Sequence, residues 1–249
     1  KDLDAGHGPV GLDVQRAVLG QGVLAQGGVL LVDQPAVGED QPGGPALRAV
    51  EVAVGEEAEE AFAALGAENS KGTRIFAVSG HVKRPGVYEV EFGVTTFRDL
   101  LYAPVYGGGI RHDHELKAFI PGGASAPWLY PEHLDVPLEA GTVGKLGTML
   151  GSGAVVVFDE TTDMVKACLR LVRFFARESC GKCTPCREGT TWLEKILERI
   201  VDGHGRPEDV NLLLDVCDNI SVGMNWPPKQ TTICPLGQSA TSPIASAVM

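Results

Sequence analysis

The sequence has no long apolar run. Even Val29-Leu30-Leu31-Val32 is stopped by Asp33, far short of the ~18 consecutive apolar residues of a membrane-spanning helix. Positive charge is also scarce. Against 32 Asp+Glu there are only 21 Lys+Arg, a net charge of −11, which argues against a nucleic-acid binder. The chain opens Lys1-Asp2-Leu3-Asp4, without the basic start, apolar stretch and small-residue cleavage site of a secretory signal. A reducing compartment is therefore expected, where six cysteines point to metal or cofactor ligation before disulfides. No phosphate-cradling loop, G-x-S-x-G elbow or nucleophile–base constellation is visible. Gly151-Ser152-Gly153 precedes a strand rather than a helix, the wrong order for a dinucleotide fingerprint.

A second set of absences is local. Residues 1–60 contain no Ser, Thr, Asn, Ile, Met, Cys, Phe, Tyr or Trp, while Gly occurs eleven times and Val ten. They hold three basic and eleven acidic side chains, net −8, so the remainder of the chain is only −3 (−11 less −8). A core without aromatics or Ile is unusual, and the segment shows no sustained helical or strand period. No fold is assigned to it. Glu56-Glu57-Ala58-Glu59-Glu60-Ala61-Phe62 reads as a short solvated helix.

The remaining residues are patterned. With 249 residues in all, one large or two modest domains can be built. After a linker comes Arg74-Ile75-Phe76-Ala77-Val78-Ser79-Gly80, a strand, and then Lys83-Arg84-Pro85-Gly86-Val87-Tyr88-Glu89-Val90, a turn feeding a second strand. Together they predict a β-hairpin. Thr95-Thr96 offers an N-cap to a short helix with Phe97, Leu100 and Leu101 on one face. Leu116–Ile120 and Ala154–Phe158 supply further strands, and the whole describes a small α+β roll.

From Thr161 the period turns helical. Met164, Val165, Cys168, Leu169, Val172 and Phe175 form one stripe; Trp192, Leu193, Ile196, Leu197 and Ile200 form a second, closed by Gly203. Leu212, Leu213, Val216 and Ile220 mark a third helix begun by Pro207, and a fourth over about 236–248 contains Pro243. The last ninety residues predict a helical bundle.

Cysteine spacing is the sharpest signal. Cys180-Gly-Lys-Cys183-Thr-Pro-Cys186 sets three thiols three residues apart in a Gly/Pro-containing loop between two helices, suited to three corners of a cubane whose fourth thiolate comes from elsewhere. Cys234, followed by Pro235, is the best candidate for that fourth position. Zinc also takes four thiolates, but usually from two separated C-x2-C knuckles. A redox dithiol would need two thiols, not three. Cys168 and Cys217 lie on apolar helix faces and read as core residues. Lys182 and Arg187 either favour the reduced state of such a cluster or only solvate the loop, Arg187 pairing with Glu178 or Glu188. His81, His112, His114 and His133 share no helical face, and His112-Asp113-His114 reads as a solvated turn.

With these residues in view, the chain resembles the NADH- and FMN-binding subunit of bacterial respiratory complex I, the F subunit of NADH-quinone oxidoreductase. The matching stretches are Ser79–Gly86, Ile120–Ser125, Leu150–Gly153, Glu178–Gly189 and Cys234–Gly237, together covering about 63–249. The resemblance implies an α+β fold in which a ubiquitin-like β-grasp domain, 74–159, precedes a helical [4Fe–4S]-binding domain, 160–249, after a linker at 63–73. It implies Cys180, Cys183, Cys186 and Cys234 as cluster ligands and no catalytic side chain. It further implies electron relay from NADH-reduced FMN through one [4Fe–4S] cluster towards quinone. The partners would be the other peripheral-arm subunits, above all the [2Fe–2S] subunit, at the cytoplasmic face of the bacterial inner membrane, with membrane contact only through the complex. The same module serves NAD-linked hydrogenases and formate dehydrogenases; a non-catalytic assembly fragment is the reading from another class. In the family, FMN and NADH are held ahead of the β-grasp domain, and nothing in residues 1–60 resembles that site. Residues 1–62 are accordingly read as an unrelated leader, the product of a mispredicted start or shifted reading frame.

Overall fold

The structure, a computed structural model, describes residues 56–221 and 231–248. The leader reading therefore lies, for residues 1–55, outside the described residues. Helix α1 (Glu56–Ala63) matches the acidic stretch, and its described side chains are exposed. From Ala63 onward the chain forms one compact unit, a sheet with helices on it.

The expected linker is itself structured. Strands β1 (Gly66–Ala67) and β2 (Ser70–Lys71) form a small antiparallel ladder. The Ala67 N–H donates to the Phe92 carbonyl at 3.0 Å, the Phe92 N–H to that of Gly72 at 3.0 Å, and the Gly66 N–H to the Glu91 carboxylate at 3.0 Å. Backbone groups that a free linker would leave to water are thus paired within the fold.

The main sheet has the order β4-β3-β6-β5. Strands β3 (Thr73–Gly80) and β4 (Gly86–Glu91) form the expected hairpin, with Val78 opposite Gly86. Between them and strand β5 (Leu116–Ile120) lies helix α2 (Phe97–Tyr102). Strand β6 (Ala154–Asp159), reached after the short helix α3 (Ala140–Lys145), inserts between β3 and β5, parallel to the former and antiparallel to the latter. Thr96 caps α2 with a reciprocal pair: its hydroxyl accepts from the Asp99 N–H at 3.1 Å, and the Asp99 carboxylate accepts from the Thr96 N–H at 3.0 Å.

Strand periodicity then builds two cores from one sheet. Phe76, Val78, Val90, Val155 and Val157 face Phe97, Leu100 and Leu101 of α2. On the other face Val156 and Phe158, with Ile120 and Trp128, meet the C-terminal helices. These are α4 (Met164–Glu178), α5 (Thr184–Val201), α6 (Asp209–Ile220) and α7 (Leu236–Val248). Direct hydrogen bonds join sheet side and helices: the Trp128 N–H donates to Ser246 Oγ at 2.9 Å and the Tyr130 hydroxyl to the Ser246 carbonyl at 2.6 Å.

The helical stripes are narrower than the sequence implied. Val165, Trp192 and Leu212 are exposed, whereas Leu193, Leu213, Val216 and Ile220 are buried. Neighbouring residues on a helix point ~100° apart, and here the buried stripe takes in Leu193 and Leu213 while Trp192 and Leu212 fall outside it. Val165 lies in the first turn of α4, where the stripe ends. Helix α7 is buried along most of its length despite its small residues and Pro243, and it packs against α4, α5 and α6. Close helix approach recurs at Gly189, where a Cβ would stand 2.6 Å from Ile220 Cδ1.

Candidate metal centre

The cysteine run straddles a helix boundary. Helix α4 ends at Glu178, and Gly181 takes the left-handed conformation (φ +77°) that turns the chain towards α5. Cys183 is the N-cap of α5, Pro185 occupies its first turn as that residue's fixed φ permits, and Cys186 already lies within the helix. The expectation of three thiols in a loop is corrected here: two are in the loop and its cap, and the third is helical and buried.

Cys180, Cys183, Cys186 and Cys234 line one partly open cavity, together with Glu178, Ser179, Lys182, Thr232 and Leu236. Cys180 and Cys234 are exposed, Cys183 is half-buried and Cys186 is buried. Among the described residues no three His, Cys, Asp or Glu side chains are grouped closely enough to share a single metal ion. Four thiols brought to one cavity, three from a spaced run and one from a remote position, are a donor set suited to a cluster bound at separate corners. The N-termini of α5 and α7 both border the cavity, placing partial positive charge where a thiolate-bound cluster is negative. These donors and dipoles fit a [4Fe–4S] group.

Further polar groups reach the thiols and the loop that carries Cys234. The Ile233 N–H donates to Cys183 Sγ at 3.4 Å, and the Ser179 hydroxyl lies 3.4 Å from Cys186 Sγ. The Thr232 hydroxyl donates to the Cys234 carbonyl at 2.8 Å, and the Gln238 amide nitrogen donates to Thr232 Oγ1 at 3.0 Å and to the same carbonyl at 3.1 Å. Sequence reading missed Ser179, Thr232 and Gln238; their signal was a polar side chain within four residues of a candidate ligand. Lys182 borders the cavity, but Arg187 pairs with Glu188 at 2.8 Å and donates to the Gly181 carbonyl at 2.7 Å, closing the loop. Cys168 and Cys217 are fully buried in the helical core, and burial pushes the Cys168 thiol up to about 12 and raises that of Cys217.

The histidines form a different centre. Asp159, fully buried at the end of β6, accepts from Arg111 Nε at 3.0 Å and from the Thr161 hydroxyl at 2.6 Å, and meets His81 Nδ1 at 2.9 Å and His114 Nδ1 at 3.2 Å. Burial pushes its carboxyl up, but the hydrogen bonds from Thr161, Arg111, His114 and His81 prevail and hold it far below the usual carboxylate range. His114 therefore leaves the solvated turn expected for it. His112 remains exposed there, at positive φ. His133 accepts from the Tyr130 N–H at 3.1 Å.

Comparison with known proteins agrees with this geometry. Residues 166–249 match the family model of the NADH-ubiquinone oxidoreductase-F iron–sulfur binding region. The chain thus matches an iron–sulfur binding region of the [4Fe–4S] class over this stretch. More particularly, it is 49% identical over 187 residues to the F subunit of NADH-quinone oxidoreductase from Mycobacterium bovis, covering 75% of this chain and 39% of that protein. For the F subunits of Streptomyces coelicolor and Rickettsia typhi the identities are 46% and 40%, over 75% and 74% of this chain and 39% and 41% of theirs. The chain spans about two fifths of the length of these relatives. Among solved structures it is similar to an NAD+-reducing [NiFe]-hydrogenase in the H2-reduced state, with a TM-score of 0.62 and 32% identity over 74% of this chain and 29% of that one. Among the described residues no helix is long and apolar enough to cross a membrane.

Proposed function

We propose that residues 160–249 are the electron-relay portion of an NADH-quinone oxidoreductase, within its F subunit, and bind one [4Fe–4S] cluster through Cys180, Cys183, Cys186 and Cys234. The observation that carries this is the arrival of Cys234, remote in sequence, at the cavity already lined by the three spaced thiols. When bound, the cluster takes up and releases single electrons. The chain's own residues hold it: α5 supplies two thiolates at a helix N-terminus, the Gly181 turn a third, and the Thr232–Gln238 pair fixes the loop that brings the fourth. Buried Cys186 and half-buried Leu236 keep water from one side, while exposed Cys180 and Cys234 leave the other open to a redox partner.

The sheet is read as the ubiquitin-like β-grasp domain, 74–159. What supports this is the hairpin β3–β4, the helix α2 after it, and the parallel pairing of first and last strands at the sheet centre. The helices from 160 onward are read as the cluster-binding bundle. In the whole protein, FMN and NADH are held by sequence outside this region, electrons pass from NADH-reduced FMN towards quinone, and the neighbours are peripheral-arm subunits, including the [2Fe–2S] subunit. The location proposed is the cytoplasmic face of the bacterial inner membrane. One observation favours a second reading, the same module in an NAD-linked hydrogenase: the solved structure to which the chain is similar is of that class.

Anaerobic reconstitution with iron and sulfide, followed by dithionite reduction, tests the cluster. The EPR signal of a reduced cubane is expected. Stoichiometric zinc without iron overturns the assignment.

A further inference from the structure

Ser179 sits at the hinge between α4 and the cysteine run. Its N–H donates to the Phe175 carbonyl and ends the helix. Its half-buried hydroxyl makes two further contacts. The oxygen accepts from the Gly181 N–H at 3.4 Å and lies 3.4 Å from Cys186 Sγ. A hydroxyl has one proton and two lone pairs. With an oxygen lone pair committed to Gly181, its proton is free to point at the sulfur, and a ligating thiolate carries no proton of its own to give.

From this geometry we infer that Ser179 is a positioning residue that tunes the cluster: its hydroxyl donates to Cys186 Sγ and raises the reduction potential, an inference that rests on the cluster reading above. Each electron taken up adds one negative charge to the cluster and its thiolates. A fixed O–H dipole aimed at one sulfur stabilises the more negative state more, and hydrogen bonds to the sulfurs are among the determinants of cluster potential. Cys186 is the most buried of the four thiols (7% exposed), so the dipole acts there with the least screening by water. A second donor to a ligand sulfur, the Ile233 N–H on Cys183, belongs to the backbone and is kept when Ser179 is changed. The Ser179 hydroxyl is a side-chain group that a single substitution removes.

The experiment is an EPR-monitored redox titration of the reconstituted full chain, wild type against S179A, S179G and S179T, with iron and sulfide measured on each sample. S179A and S179G should load iron as wild type does but titrate at a more negative midpoint, by about tenfold in redox equilibrium constant, ~59 mV for one electron. S179T, which keeps the hydroxyl, should titrate with wild type. Unshifted midpoints in S179A and S179G at full iron content overturn the inference, as does an S179T midpoint displaced as far as that of S179A. Should neither hydroxyl-free variant load iron while S179T does, the hydroxyl is a loading requirement rather than a tuning group, and the inference is again overturned. A wild-type chain that binds no iron refutes the cluster assignment itself, which separates the two failures.

Discussion

Asp159 and the cysteine cavity are both polar clusters at junctions between elements, and they are assembled in opposite ways. The Asp159 carboxylate is met by Arg111, His81, His114 and Thr161, all from the chain itself. Its charge is compensated internally, so the cluster has every mark of a clasp between the sheet and the start of α4. Among the described residues, the cavity brings together four thiols, the Ile233 N–H that donates to Cys183 Sγ, the Ser179 hydroxyl beside Cys186 Sγ, and two helix N-termini. A buried ionic group satisfied by protein is a structural device, whereas convergent donors around a volume describe a place prepared for something brought in.

The contrast predicts a double dissociation. The largest effect is expected from Cys183→Ser, which should abolish the EPR signal of the reduced cluster and its iron, while the far-UV circular dichroism is kept because both apolar cores are untouched. Asp159→Ala should do the reverse. Removing one member of a buried ionic network costs ~3–5 kcal/mol when the partners stay buried; Arg111, His81 and His114 are partly exposed, so about 2–3 kcal/mol is expected in urea unfolding, with iron binding retained. An Asp159→Ala protein that folds but takes up no iron would break the comparison.

Acid titration sharpens it. The Asp159 carboxyl lies below its unfolded value, so the unfolded chain binds more protons near that value and stability rises with pH there. The contribution is full above about pH 4, the ordinary aspartate range, and is lost as pH falls below it. Asp159→Asn should therefore flatten the acid limb of urea midpoints between about pH 3 and pH 5. A wild-type slope in that variant would assign acid sensitivity to other groups. A smaller change, about 1–2 kcal/mol of stability with the EPR signal intact, is expected from Cys168→Ser, which buries a hydroxyl in an apolar site. Smallest is Thr96→Ala, about 1 kcal/mol from the lost cap of α2.

How well each region could be read from sequence follows the same division. The three spaced cysteines are local in sequence, and the fourth stood out by its proline and its place in a loop just after a helix, so the candidate ligands were legible at once. The clasp was not, because His81 follows β3, Arg111 and His114 flank one short turn, Asp159 ends β6, and none is unusual where it stands. Hairpin, strands and helix positions were legible from periodicity and turn residues. The faces were less so: Trp192 and Leu212 looked like core because a stripe read from sequence does not say how wide a surface its neighbours cover. Nor did the short polar side chains of α7 announce a buried helix. They are buried because small side chains let three other helices approach, a property of the packing and not of any one residue's hydropathy.

The place of α7 in the chain order has a consequence for biosynthesis. Cys234 and Leu236, one wall of the cavity, immediately precede or begin the helix on which α4, α5 and α6 converge. As the polypeptide leaves the ribosome, the first three thiols emerge well before that wall. A nascent chain halted after α6 therefore displays three closely spaced thiols to oxygen and to adventitious metal, without the fourth thiol and without the helix that completes their shelter. On the cluster assignment proposed above, the complete set of four thiols exists only once α7 begins to emerge.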